Sequence, residues 1–101
     1  MTKSISESSA AILSGSHEKE PVKILHVDDD LGLLKVTKQC LEMQGPFHVD
    51  TACSVEEALA KLEKERYDAV VSDYQMPCKD GLEFLKELRE HGNFIPFIIF
   101  T

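Results

Sequence analysis

Positive charge is what this sequence most lacks. Its 101 residues carry 11 Lys+Arg against 18 Asp+Glu, a formal net charge of −7. A protein that grips a phosphate backbone needs clustered cations to displace counterions, so nucleic-acid binding of that kind is excluded. Also missing is any run near the roughly 18 apolar residues that a bilayer-crossing helix requires, which excludes membrane insertion. No positively charged start leads into a continuous apolar segment, so a secretory signal peptide is absent too. Cysteine is scarce and odd in number, with three residues and no dense pattern. That composition points to a reducing, cytoplasmic setting with free thiols. The four histidines, His17, His26, His48 and His91, do not fall at metal-ligand spacing. His26, on a predicted central strand, reads as a satisfied core residue.

What is present is enough for one domain: 43% of the residues are hydrophobic. Residues 1–20 are Ser-rich and polar, with only the short patch Ala10-Ala11-Ile12-Leu13, and are expected to form a disordered leader. From Pro21 the pattern changes. Val22-Lys23-Ile24-Leu25-His26-Val27 is a β-rich run ending in Asp28-Asp29-Asp30. Leu33, Leu34, Val36, Thr37, Cys40 and Leu41 then recur at helical spacing, with Asp30 as N-cap. Gly45-Pro46 closes that helix through a left-handed Gly and a Pro that cannot extend it. Phe47 to Ala52 alternates as a half-buried strand. Ser54-Val55-Glu56-Glu57 has the capping-box spacing and opens a helix with Val55, Ala58, Leu59 and Leu62 on one face. Ala69-Val70-Val71-Ser72 is the next strand and runs into Asp73. A loop over 74–81 leads to a third helix with an expected face of Leu82, Leu85 and Leu88, stopped by Gly92. Cys40 and Cys53 are expected to be structural, and Cys78 a loop residue.

Last comes Phe97-Ile98-Ile99-Phe100-Thr101, an apolar run that reads as a fourth strand. Apolar strands alternating with amphipathic helices predict an α/β, doubly wound parallel sheet with right-handed crossovers.

In an open parallel sheet, ligands bind outside the carboxyl ends of the strands. Asp28 and Asp29 fall at the end of the first strand, Asp73 at the end of the third and Thr101 at the end of the fourth. If the chain reverses direction between strands one and three, these two are neighbours and three carboxylates converge. Such groups raise one another's pKa unless a cation sits among them. Hard oxygen donors with room for water suit Mg²⁺.

Three blocks carry a family resemblance: Ile24-Leu25-His26-Val27-Asp28-Asp29-Asp30; Val70-Val71-Ser72-Asp73-Tyr74-Gln75-Met76-Pro77 with Asp80-Gly81-Leu82; and Ile98-Ile99-Phe100-Thr101. In this order and spacing they resemble the receiver domain of two-component response regulators over residues 22–101. The resemblance implies a flavodoxin-like fold with strand order 2-1-3-4-5. Residues 21–101 would then form a partial receiver, four strands and three helices, incomplete at the C-terminal side. Neither the Lys that the family places after a fifth strand nor that strand itself falls within the sequence.

Carried over residue by residue, the resemblance makes Asp73 the phosphoacceptor. Asp28, Asp29 and Asp73 would be the acidic Mg²⁺ ligands, joined by the backbone carbonyl of Gln75. Thr101 would be the hydroxyl residue that contacts the phosphoryl group. The implied function is phosphoryl acceptance from a histidine kinase or phosphotransfer protein, ahead of an output domain. This is a signalling role rather than an enzyme's, assisting at most the domain's own phosphorylation and dephosphorylation. The alternative from another class is a non-phosphorylatable, truncated pseudo-receiver that only binds protein. Asp28-x-Asp30 also resembles haloacid-dehalogenase-type phosphatases, but Leu31 stands where that family wants Gly or Thr, and Asp73 would go unexplained. The last strand is expected to be an exposed apolar edge that favours self-association.

Overall fold

Short β-branched runs become strands and the amphipathic stretches between them become helices, in strict alternation. The structure, a computed structural model, describes residues 21–100. The leader expected over 1–20, and Thr101, lie outside the described residues. In chain order the elements are β1 (Val22–Val27), α1 (Leu31–Gln44), β2 (Phe47–Ala52), α2 (Val55–Lys64), β3 (Ala69–Asp73), α3 (Gly81–Glu90) and β4 (Phe97–Phe100). All strand pairs are parallel, and the sheet order is β2-β1-β3-β4. The chain therefore reverses direction between β1 and β3, as the expected topology requires.

Local signals set the helix ends. The Asp30 carboxylate caps α1 by accepting from Leu33 N at 3.1 Å. Ser54 caps α2 by accepting from Glu57 N at 3.1 Å. The reciprocal half of the expected capping box is shifted, because Glu57 Oε1 accepts from Cys53 N at 2.9 Å rather than from Ser54. The complete box lies at α3: Asp80 accepts from Glu83 N at 2.8 Å, and Glu83 accepts from Asp80 N at 2.9 Å. At its far end Gly92 adopts φ 79°, Gly92 N donates to Arg89 O at 3.1 Å and Asn93 N to Leu88 O at 2.9 Å, a Schellman closure. Gly45, by contrast, is extended at φ 175° rather than left-handed, so α1 stops because Pro46 cannot continue it.

One face of the sheet carries the main core. Leu25, Val27, Ala52 and Val70 pack there with Val55 and Ala58 of α2 and with Phe84 and Leu88 of α3. Phe97 of β4 meets the edge of Phe84 at 5.1 Å between ring centroids. Of the expected α3 face, Leu88 is buried and Leu85 half-buried, but Leu82 is corrected to Phe84. Gly81, Phe84 and Leu88 are buried, while Leu82 is 46% exposed. Positions three and four apart share a helix face, and Leu82 sits about 100° round from Gly81. On α1 only Leu34 is buried; Leu31, Leu33, Val36 and Met43 are exposed. Cys40 and Cys53 are exposed too, contrary to their expected structural role.

β2 is an outer strand, and its free backbone groups are taken by charged side chains. Lys38 Nζ donates to Val49 O at 2.7 Å, Glu42 Oε2 accepts from Val49 N at 2.9 Å, and Lys61 Nζ donates to Thr51 O at 2.6 Å. At the other side, among the described residues, β4 pairs only with β3, and its Ile98 is 57% exposed.

Below the sheet's functional end, Tyr67 donates its hydroxyl to Asp50 Oδ2 at 2.6 Å, and His48 Nε2 lies 3.1 Å from Asp50 Oδ1. Burial pushes the Asp50 carboxyl up, but Tyr67, His48 and Lys23 together hold it below the ordinary carboxylate range. A depressed carboxyl pKa adds stability above the unfolded value near 3.8 that is lost as pH falls through the lower folded value. Asp50→Asn should therefore lower the urea midpoint at neutral pH, and its gap from wild type should close on acidification below the ordinary carboxylate range. The corrected α3 face gives a second expectation. Phe84→Ala should cost about 3–5 kcal/mol in urea denaturation, whereas Leu82→Ala should cost about 1 kcal/mol or less.

Candidate functional site

Strand register builds the site. Val27 pairs with Ser72, and Asp73 pairs with Phe100, so Asp28 and Asp73 follow one another's row at the carboxyl end of adjacent central strands. Asp28, Asp29 and Asp73 each present a carboxylate oxygen, and these atoms all lie within 4.8 Å of one another. Asp28 is 2% exposed, Asp73 half-buried and Asp29 exposed. The trio thus grades from the protein interior to solvent.

Asp28 is fixed from two sides. Its backbone N donates to Ala52 O at 3.1 Å, which prolongs the sheet pairing past β1. Its Oδ1 accepts from Asp30 N at 2.9 Å, which turns the chain into α1. Burial raises the Asp28 pKa; the bond from Asp30 N opposes this, and the charges of Asp73 and Asp29 add to it. A buried carboxyl crowded by two others is what a cation would relieve. The donors are all hard oxygens, and one member opens to solvent, so the set fits Mg²⁺ with water completing its shell.

Asp73 is held through its backbone. Ser72, fully buried, donates its hydroxyl to Asp73 O at 3.0 Å. Gly81 packs so close that an added Cβ would lie 2.5 Å from Asp73 O and 3.2 Å from Tyr74 Cα. Gly81 N donates to Tyr74 O at 2.8 Å, and Tyr74 N to Phe100 O at 2.9 Å. The start of α3 is therefore pressed against the end of β3, and only a residue without a side chain fits there. Ser72 is a positioning residue with no signal of its own in the sequence; Gly81 stands in the Asp80-Gly81 motif at the turn into α3, but its contact with the Asp73 carbonyl is not a sequence property.

Of the other expected site residues, Gln75 is exposed in the loop after Asp73, beside an open cleft shared with Tyr74, Met76, Pro77 and Asp80. Its side chain is not among the converging carboxylates. Thr101 lies outside the described residues. The loop's Lys79 is engaged by Glu87. His26 corrects the sequence reading. It is buried at 1% exposure beside Phe100, but both ring nitrogens lack a hydrogen-bond partner among the described residues. Burial lowers its pKa against the pull of Asp28 and Asp73, which keeps it neutral.

The arrangement is that of a known family: the response regulator receiver domain model matches residues 24–101, and the chain belongs to that family. Response regulator MprA of Mycolicibacterium vanbaalenii is 40% identical over 81 residues, covering 80% of this chain and 35% of the relative. The chain spans about a third of the length of the curated relatives it matches. Among solved structures, the chemotaxis protein CheY4 of Vibrio cholerae superposes with a TM-score of 0.72 at 36% identity, covering 78% of this chain and 67% of that one. The Thermotoga maritima response regulator TrrA, solved in complex with Mg²⁺-BeF, gives 0.71 at 36% identity, covering 77% and 66%. TrrA has also been solved in complex with the histidine kinase ThkA, with the same score, identity and coverage. The four-stranded order β2-β1-β3-β4 flanked by helices matches the receiver fold of these neighbours. Among the described residues, no helix is long and apolar enough to cross a membrane.

Gly81→Ala tests the close approach. Overpacking of this kind should cost about 1–3 kcal/mol in urea denaturation, and the displaced Asp73 backbone should move the amide resonances of Asp28 and Tyr74.

Proposed function

We propose that this receiver domain accepts a phosphoryl group on the Asp73 carboxylate from the phosphohistidine of a histidine kinase or phosphotransfer protein. The observation that carries this reading is the convergence of Asp28, Asp29 and Asp73 within 4.8 Å at the carboxyl ends of β1 and β3. In the reaction a carboxylate oxygen of Asp73 attacks phosphorus in line. The P–N bond to the donor imidazole breaks, its electron pair returns to the ring nitrogen, and an acyl phosphate forms. Asp28 and Asp29, with Asp73 and the backbone carbonyl of Gln75, would hold Mg²⁺. When bound, the cation supplies charge neutralisation for the phosphoryl oxygens. Thr101 is proposed as the hydroxyl that contacts the phosphoryl group.

Each residue has a separate task. Ser72 and Gly81 fix the backbone from which the Asp73 nucleophile projects. Asp30 locks Asp28 through its amide, so the buried carboxylate cannot turn away from the trio. Support for the metal comes from TrrA in complex with Mg²⁺-BeF, and support for the kinase from TrrA in complex with ThkA. We place the domain in the cytoplasm, where its free thiols stay reduced. It serves as a signalling acceptor coupled to an output domain rather than as an enzyme with an external substrate, and it supplies only the groups for its own phosphorylation and hydrolysis.

Incubation with a small-molecule phosphodonor and Mg²⁺ should give a hydroxylamine-labile label that Asp73→Asn reduces to background. Chelation of Mg²⁺ should do the same. Persistent label in Asp73→Asn would refute the assignment, and absence of label in the wild type would favour a pseudo-receiver that only binds protein. Asp29→Asn should weaken Mg²⁺ binding by about tenfold or more, judged from losses at metal sites on mutation. The same substitution should raise the metal-free melting temperature, because it relieves like-charge repulsion.

A further inference from the structure

A second cleft, of about 140 Å³, opens beside the acidic trio, and two of the chain's three cysteines line it. Cys53 follows β2, and Cys78 lies in the loop between β3 and α3, so they reach the cleft from different loops at the same end of the sheet. Asp29, Val55, Met76 and Pro77 are among the other residues that line it. Both thiols are exposed. Cys40, on α1, is exposed as well but does not line this cleft, which makes it an internal control.

The two cysteines differ in a useful way. Cys53 donates its thiol to Glu57 Oε1 at 3.2 Å, and that carboxylate pushes its pKa up, so the resting group is a thiol held in place by a hydrogen bond. Cys78 has no such partner among the described residues. Its backbone has φ 72°, and among the described residues it is the only non-glycine on the positive side. A side-chain-bearing residue is seldom held there, so Cys78 sits at the bend of the loop in a conformation that costs backbone energy.

We propose that Cys53 and Cys78 form a reversible intramolecular disulfide in response to a hydroperoxide, bridging the cleft beside Asp29 and tying down the loop that leaves Asp73. The Cys78 sulfur attacks the peroxide, the O–O bond breaks, and the Cys78 thiol proton goes to the departing oxygen, so that Cys78 sulfenic acid and an alcohol (or water) are formed. The Cys53 sulfur then attacks the sulfenic sulfur. The S–O bond breaks, and the departing hydroxide takes the Cys53 thiol proton to leave as water. Two thiols lose two electrons and the peroxide gains them. Bridging requires the two Cα atoms to come within about 7 Å, a displacement assigned to the Cys78 loop rather than to the capped start of α2. The pairing stands independently of the phosphoacceptor reading, since its readouts involve neither phosphate nor Mg²⁺.

Hydrogen peroxide treatment of the full chain, followed by non-reducing peptide mapping, tests this. The expected product is a monomer lighter by two hydrogens with a Cys53–Cys78 linked peptide, reversed by dithiothreitol, while Cys40 stays open to alkylation. An effective concentration in the millimolar range should favour this product about a hundredfold over intermolecular dimers at ~10 μM protein. Cys40→Ser should retain the link, and Cys53→Ser and Cys78→Ser should each abolish it. Amide exchange over residues 74–80 should slow in the oxidised wild type. Links that involve Cys40, linkage only between chains, Cys53 and Cys78 that stay alkylatable after oxidation, or unchanged exchange over 74–80 would overturn the proposal.

Discussion

Mutual repulsion among Asp28, Asp29 and Asp73 is the constraint to which the rest of this domain answers. Their oxygens lie within 4.8 Å of one another, with Asp28 buried. Burial raises the Asp28 pKa first, and the charges of Asp73 and Asp29 add to it. The amide of Asp30, donating to Asp28 Oδ1, eases the cost of the charge at Asp28 without removing it. What remains is met by the apolar layer beneath, where Leu25, Val27 and Val70 of the two strands that carry the aspartates pack against Phe84 and Leu88. The strands that bring the charges together are thus the ones most deeply anchored.

The supports around Asp73 act on backbone rather than on charge. Ser72 and Gly81 meet at the Asp73 carbonyl, one by a hydrogen bond and one by making room. The reciprocal Asp80–Glu83 box then fixes where α3 begins. This division suits the phosphoacceptor role proposed for Asp73, in which the carboxylate must remain free to react while its origin stays fixed. A side chain restrained through its own oxygens would be a poorer nucleophile.

Much of this was readable in the sequence, for definite reasons. The strands are short apolar runs bounded by Asp, Gly or Pro, and α1 and α2 begin at Asp30 and Ser54, the expected caps; the Asp80 cap of α3 falls in what reads as a loop. The Asp28, Asp29 and Asp73 convergence followed from topology, since a reversal between β1 and β3 makes those strand ends neighbours. What could not be read depends on contacts distant in sequence. Leu82 looked like core because leucine is apolar, but the helix turns Phe84 inward instead. His26 looked satisfied because buried polar groups usually are; its ring lies against Phe100, which offers no acceptor. Cys40 shares a helical stripe with Leu33 and Val36, yet that stripe faces away from the sheet.

The outer side of β2 has a consequence for how molecules of this chain could adhere. Its Val49 amide and carbonyl are occupied by Glu42 and Lys38, so that edge is sealed by ionised side chains rather than by backbone. Lys38 and the Val49 amide hold Glu42 below the ordinary carboxylate range, and the seal survives mild acid. With both of its groups engaged, Val49 offers an incoming strand no free partner at that position of β2. Strong acid or high salt that loosens Lys38 and Glu42 frees the Val49 amide and carbonyl together. The outer side of β2 is thus latched by one ion pair, and its adhesiveness is set by the solvent rather than by the backbone.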